Sequence, residues 1–136
     1  MRAVLDPNIV ISGALSPSGA PADVLRLLAT GEFELIVSQA LMDELGRALA
    51  YPKLRRRISE SQAEDLIRWV ADGATVVVDP DTEPPVHSRD PEDDYLIGLA
   101  STHRAALVSG DKHLLDLAGQ IPVFSPRAFL DLLSRI

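Results

Sequence analysis

Short apolar runs alternate along this chain with segments whose apolar residues recur every three to four positions. The runs at 2–5, 34–37, 75–78, 106–109 and 121–124 have the length and aliphatic content of strands. Between them the period changes to that of a helix. Pro21 opens a stripe at Val24, Leu25, Leu28 and Ala29 that Gly31 ends. Ser38 is an N-cap for a helix carrying Leu41, Leu45, Ala48 and Leu49, and Pro52 stops it. Ser59 and Gln62 form a capping box before Ala63, Leu66, Ile67 and Val70. Asp90-Pro91 starts a helix that turns Leu96, Leu99 and Ala100 inward and ends near His103. A short helix follows Gly110-Asp111 through Leu114, Leu115 and Leu117, and Ser125-Pro126 caps the last one through Phe129, Leu130 and Leu133. The stretch before Pro21, with Ser16-Pro17-Ser18-Gly19, reads as a loop, and 79–89 as a proline-rich acidic loop. Strands alternating with helices predict a parallel sheet covered on both faces, an α/β fold in one domain over 1–136.

Composition narrows the chemistry. The 136 residues include no cysteine, which excludes a disulfide scaffold, a thiolate metal site and a cysteine nucleophile. That absence fits a reducing compartment, so the cytoplasm is the expected location. No apolar run reaches the roughly 18 residues of a membrane span, and Asp6 interrupts the first run too early for a signal peptide. The net charge of −7 argues at first against nucleic acid. However, 79–94 holds seven acids against the single base Arg89, so it carries −6 of that charge and the rest of the chain −1. The acidity marks one place in the chain.

The positions of particular acids give that place a meaning. Ligands of open parallel sheets bind beyond the carboxyl ends of the strands. Asp6 follows the first strand and Asp111 the fourth, Asp94 lies one turn into the helix before the fourth strand, and Glu44 borders the apolar stripe of the second helix. Each also has an ordinary role: turn initiation for Asp6, dipole or cap for Asp94 and Asp111, a solvated helix position for Glu44. If the four converge, carboxylates within about 4–6 Å raise one another's pKa, and a hard divalent cation relieves the repulsion. His87, His103 and His113 have no zinc-ligand spacing, so a carboxylate-only Mg²⁺ or Mn²⁺ site is the economical reading. Such a site suits phosphodiester hydrolysis.

The segments around these acids resemble those of the PIN-domain family. Val4-Leu5-Asp6-Pro7-Asn8 is similar to its opening motif, with Pro7 where threonine is usual; Ser38 through Glu44-Leu45 resembles its second acidic segment. Arg89-Asp90-Pro91-Glu92-Asp93-Asp94 with the apolar run after it resembles the third, and Val108-Ser109-Gly110-Asp111-Lys112 the fourth. The nearest group is that of toxin components of toxin–antitoxin pairs, the VapC-like ribonucleases.

The resemblance implies a Rossmann-like three-layer α/β/α sandwich with a mostly parallel sheet of four to five strands. It implies Mg²⁺- or Mn²⁺-dependent endoribonuclease action on single-stranded RNA, with one or two ions held by Asp6, Glu44, Asp94 and Asp111. Asn8 and Ser109 would support the site. Asp94 aligns best as the third acid because the apolar run begins directly after it; Asp90 suits the N-cap and Asp93 the first turn, each contributing otherwise. A homodimer and a small antitoxin partner are expected on the same ground.

Lys53, Arg55, Arg56 and Arg57 form the dense basic cluster, a candidate for RNA phosphate contact or simply a solvated turn, and Lys112 lies beside the fourth acidic segment. With aromatic residues at only 4%, no base-stacking platform is legible, and Trp69 reads as core or interface. The competing readings are a metal-dependent nuclease of RNA or DNA processing or repair, an aspartyl phosphatase or phospho-receiver, and an inactive PIN-like interaction module.

Overall fold

The computed structural model describes residues 1–136. Five strands form one sheet in the order β3-β2-β1-β4-β5, all parallel: β1 (Arg2–Leu5), β2 (Glu34–Val37), β3 (Ala74–Val76), β4 (Ala106–Val108) and β5 (Val123–Phe124). Three of the strands are shorter than the apolar runs predict. β3 is an edge strand with Val76 exposed, and Val78 lies beyond its end in solvent. At β5 the ladder is extended by Leu107 N–H donating to the Pro122 carbonyl and Ser109 N–H donating to the Phe124 carbonyl. β4 stops at Val108, and Ser109 begins the turn beyond it.

The helices are α1 (Pro7–Leu15), α2 (Ala20–Ala29), α3 (Gln39–Leu49), α4 (Pro52–Arg55), α5 (Glu60–Gly73), α6 (Asp94–Thr102), α7 (Lys112–Leu115) and α8 (Pro126–Ser134). The β1–β2–β3 crossovers run one way across the sheet, and the chain then returns to β4 and β5 on the other side of β1. Right-handed crossovers therefore put α6, packed on β1 and β4, on the face opposite the α1–α3–α5 group. This is the three-layer α/β/α sandwich expected from the sequence. α8 packs back on α2, and Phe129 meets Phe33 edge-on at 5.1 Å between centroids.

The caps read from sequence form as hydrogen bonds. Ser38 accepts from Leu41 N–H, and Ser125 from Ala128 N–H. Ser59 and Gln62 make both bonds of a capping box. Gly31 ends α2 at a φ of 77°, where its N–H donates to the Leu28 carbonyl. One predicted loop is instead a helix: α1 fills most of the stretch before Pro21. Its Pro7, Ile9, Val10 and Ile11 are all buried, so it lacks the one-sided stripe that identifies a surface helix. No helix of the chain is long and apolar enough to cross a membrane.

Candidate active site

The strand order reverses between β1 and β4, and the crevice at such a switch point opens beyond the strands' carboxyl ends. Asp6 leaves β1 there. Its own N–H donates to the Val108 carbonyl at 2.9 Å, stitching it to β4. The residue is 5% exposed. One carboxylate oxygen accepts from Asn8 N–H at 3.0 Å, capping α1, and the other from the Ser109 hydroxyl at 2.8 Å. Pro7 removes nothing needed here, because the first N–H of a helix has no partner within it. Burial pushes the Asp6 carboxyl up, the two hydrogen bonds pull against that, and Asp111 and Glu44 add to the rise.

Ser109 links two acids. Its hydroxyl donates to Asp6 while accepting the Asp111 N–H at 3.0 Å. Asp111 then caps α7 by accepting from His113 N–H at 2.8 Å. Glu44, on α3, joins Asp6, Pro7, Asn8, Ala48, Glu92, Asp93, Tyr95 and Leu96 in lining a cleft of about 70 Å³. One of its oxygens is held by Arg47 at 2.8 Å on the exposed rim.

Asp94, expected as the third acid, does not line this cleft. Asp94 turns away from this cleft: one oxygen accepts from Ser88 N–H and the other meets His87 Nδ1, both at 2.8 Å. It lines a neighbouring cleft with Asp79, Pro80, Thr82 and Pro84, and anchors the end of the acidic loop. Asp93 faces the site in its place. Its carboxyl is pushed up to about 7, by burial first and then by Asp111, Asp90 and Asp6. Its Oδ2 is buried without a hydrogen-bond partner. Pro91–Asp93 is a turn of 3-10 helix, not the start of an α-helix, and the bonds to Ser88 and His87 hold Asp94 on the side of the acidic loop. Asp90 caps this turn, accepting from Glu92 N–H at 3.0 Å.

Residues 2–113 match the family model described as PIN domain. The chain belongs to the PIN-domain family. PIN domains are in general nucleases. A relative of this PIN domain, the uncharacterized protein MJ1680 of Methanocaldococcus jannaschii, is 28% identical over 117 residues, covering 86% of this chain and 75% of its own. Two solved structures share the fold. VapBC2 from Rickettsia felis, bound to a DNA fragment from its promoter, has a TM-score of 0.64 at 12% identity over 92% of this chain and 98% of its own. PAE2754 from Pyrobaculum aerophilum has a TM-score of 0.65 at 16% identity over 100% of this chain and 97% of its own.

The acids of this PIN domain suit a hard cation in their donor chemistry. They are all oxygen donors, burial and neighbouring acids raise the pKa of Asp6 and Asp93, and the buried Asp93 oxygen has nothing to accept from. No three His, Asp or Glu side chains are yet gathered so as to hold an ion, so ligation requires side-chain rotation. Glu44, Asp93 and Asp111 are partly exposed and free to make it.

The basic candidates stand apart. Neither Lys53, Arg55, Arg56 and Arg57 nor Lys112 lines the acidic cleft. Arg57 lines a separate cleft with Ala14, Leu15, Ile58 and Gln62, and Arg55 has a buried guanidinium nitrogen without a partner. Sequence reasoning missed two groups. Tyr95 faces the acidic cleft, and only its place directly after the Asp pair signals it. Asp79 ties the start of the acidic loop to α3 by accepting from Ala40 N–H at 3.0 Å.

Proposed function

We propose that this PIN domain is a Mg²⁺- or Mn²⁺-dependent endoribonuclease that cleaves single-stranded RNA, the toxin of a toxin–antitoxin pair. The observation that carries the reading is the gathering of Glu44 and Asp93 beside a buried Asp6 in one cleft at the switch point, with Asp111 tied to Asp6 through Ser109. A carboxyl such as Asp93, which burial and neighbouring acids keep protonated up to about 7, exchanges its proton readily for a cation. Asp6, Asp93, Asp111 and Glu44 would hold one or two ions. Bound there, Mg²⁺ or Mn²⁺ supplies a water activated at neutral pH and charge to offset that of the phosphoryl oxygens.

The chain's own residues do the rest. Ser109 and the Asn8 N–H fix both oxygens of Asp6, so one corner of the site is rigid. Ser109 also fixes the Asp111 backbone relative to Asp6. Glu44 is the mobile member, on the cleft wall, suited to orient the attacking water and accept its proton. Asp94 acts at a distance, pinning the acidic loop through His87 and Ser88.

Support for the toxin reading comes from the fold shared with the Rickettsia felis VapBC2 complex. An antitoxin partner, a homodimer and a cytoplasmic location follow from that reading. The test is cleavage of a labelled single-stranded RNA with Mg²⁺ or Mn²⁺. Asp6→Asn and Asp93→Asn are expected to lose more than about 99% of activity, in line with losing a group that acts in the transition state. Asp94→Asn should retain most of it. A folded Asp93→Asn protein with full activity removes the proposal.

A further inference from the structure

Tyr95 is the second residue of α6 and stands between two clefts, the acidic one it shares with Asp6, Glu44 and Asp93 and the one beneath the acidic loop that it shares with Ala40, Asp79 and Asp94. Its hydroxyl is buried and has no hydrogen-bond partner. Native interiors satisfy nearly all such groups, so an orphaned hydroxyl signals a partner that arrives in another state of the site. The carboxylates of Asp6, Glu44 and Asp93 line the same cleft, and a phenol is a hydrogen-bond donor at neutral pH. It is thus a proton donor among acceptors, none of which it reaches.

One of those acceptors is committed: both oxygens of Asp6 are taken, by Asn8 and Ser109. Asp93 has an open oxygen, and in the cation reading that oxygen is the one an ion would take. Glu44 is different. It is held at the cleft rim by one exposed bond to Arg47, three residues along the same helix, a contact of the kind that is easily exchanged. We propose that Tyr95 is a positioning residue for Glu44: when Glu44 leaves Arg47 and turns into the cleft, its carboxylate accepts the Tyr95 hydroxyl and is fixed facing Asp6 and Asp93. The rim and cleft positions of Glu44 then each have a dedicated donor, Arg47 outside and Tyr95 inside. The inference rests on reading the cleft as a divalent-cation site.

Tyr95→Phe keeps the ring and removes only the hydroxyl. The experiment measures Mn²⁺ binding to the full chain by calorimetry, and melting in EDTA, for wild type, Tyr95→Phe, Glu44→Ala and the double variant. Tyr95→Phe should weaken Mn²⁺ binding by about tenfold, the size of effect typical of a group that orients a metal ligand. Without metal it should melt at or above the wild-type temperature, since the hydroxyl it loses is unpaired. In the Glu44→Ala background the same change should alter binding less than about twofold. Unchanged Mn²⁺ affinity in Tyr95→Phe overturns the inference, as does an equal loss in the Glu44→Ala background or a clear drop in metal-free melting. Wild type that takes up no Mn²⁺ overturns the cation reading and this inference with it. Wild type that binds while Tyr95→Phe binds equally well overturns the inference alone.

Discussion

Asp93 and Asp94 are neighbours with opposite duties, and the difference shows in what each carboxylate meets. Asp94 accepts an N–H and faces an imidazole whose pKa it raises. Asp93 meets another carboxylate. This has a consequence for stability. In the folded, metal-free protein Asp93 keeps its proton up to about 7, against an ordinary 3.8. Between those values the folded state binds more protons than the unfolded state, so stability falls as pH rises through that window. Asp6, also raised, contributes in the same direction. Asp93→Asn should flatten the fall, and above pH 7 it should melt higher than wild type in EDTA. Parallel melting curves from pH 4 to 8 would count against the coupling. With divalent metal the ordering should reverse, because wild type exchanges the proton for an ion that stabilises the native state. The sequence shows that this triplet of acids matters. It does not show which one faces the cleft, because that depends on the acidic loop folding back so that Ser88 and His87 hold Asp94, and the Asp90-Pro91 start signal says nothing of that loop.

The elements were legible where one face is wet. α3 and α5 have clean apolar stripes and capping residues, and both sit where the periodicity and the serines put them. α1 has only a narrow wet side, at Asn8, Ser12 and Ala14: β1, α2 and α3 all pack against it. Its signal was in the sequence all the same, since Asp6-Pro7 has the cap-and-proline pattern that identifies Asp90-Pro91. The packing of α1 on α2 turns on Gly13, where an added Cβ would lie 2.7 Å from Leu25 Cδ1 and 2.8 Å from the Pro21 carbonyl oxygen. Gly46 in α3 has open space at the same point. The two glycines should therefore respond oppositely to alanine. Gly46→Ala should stabilise by about 0.5–1 kcal/mol through helix propensity. Gly13→Ala should destabilise by about 1–3 kcal/mol, because the backbone carbonyl cannot yield as a side chain can. Urea denaturation of both variants measures the difference, and a stabilised Gly13→Ala would mean that α1 and α2 pack less closely than described.

Over the whole molecule the charge is divided, and on the proposed ribonuclease reading that division decides where an acidic protein would meet RNA. Nearly all the net −7 lies in 79–94, which leads into the acidic cleft. Outside it the surface is close to neutral, with Lys53, Arg55, Arg56 and Arg57 on or just beyond α4 as its one dense basic group. A single-stranded RNA, as proposed, would bring phosphates past the acids, which bound cations would offset, and would gain its electrostatic attraction elsewhere. Arg56 and Arg57 are exposed and make no ion pair. Arg55 is half-buried, so its replacement would disturb packing. The informative variant is therefore Arg56→Gln/Arg57→Gln, made in the Asp6→Asn background so that RNA stays intact. If both arginines neutralise phosphates, the dependence of log affinity on log salt should lose about 0.7 per contact, or about 1.4 in total. Fluorescence anisotropy of a labelled single strand across a KCl series at fixed Mg²⁺ gives that slope. Loss of affinity with an unchanged slope would place the arginines in folding instead of phosphate contact, and no change in either would leave the cleft itself as the whole of the RNA site.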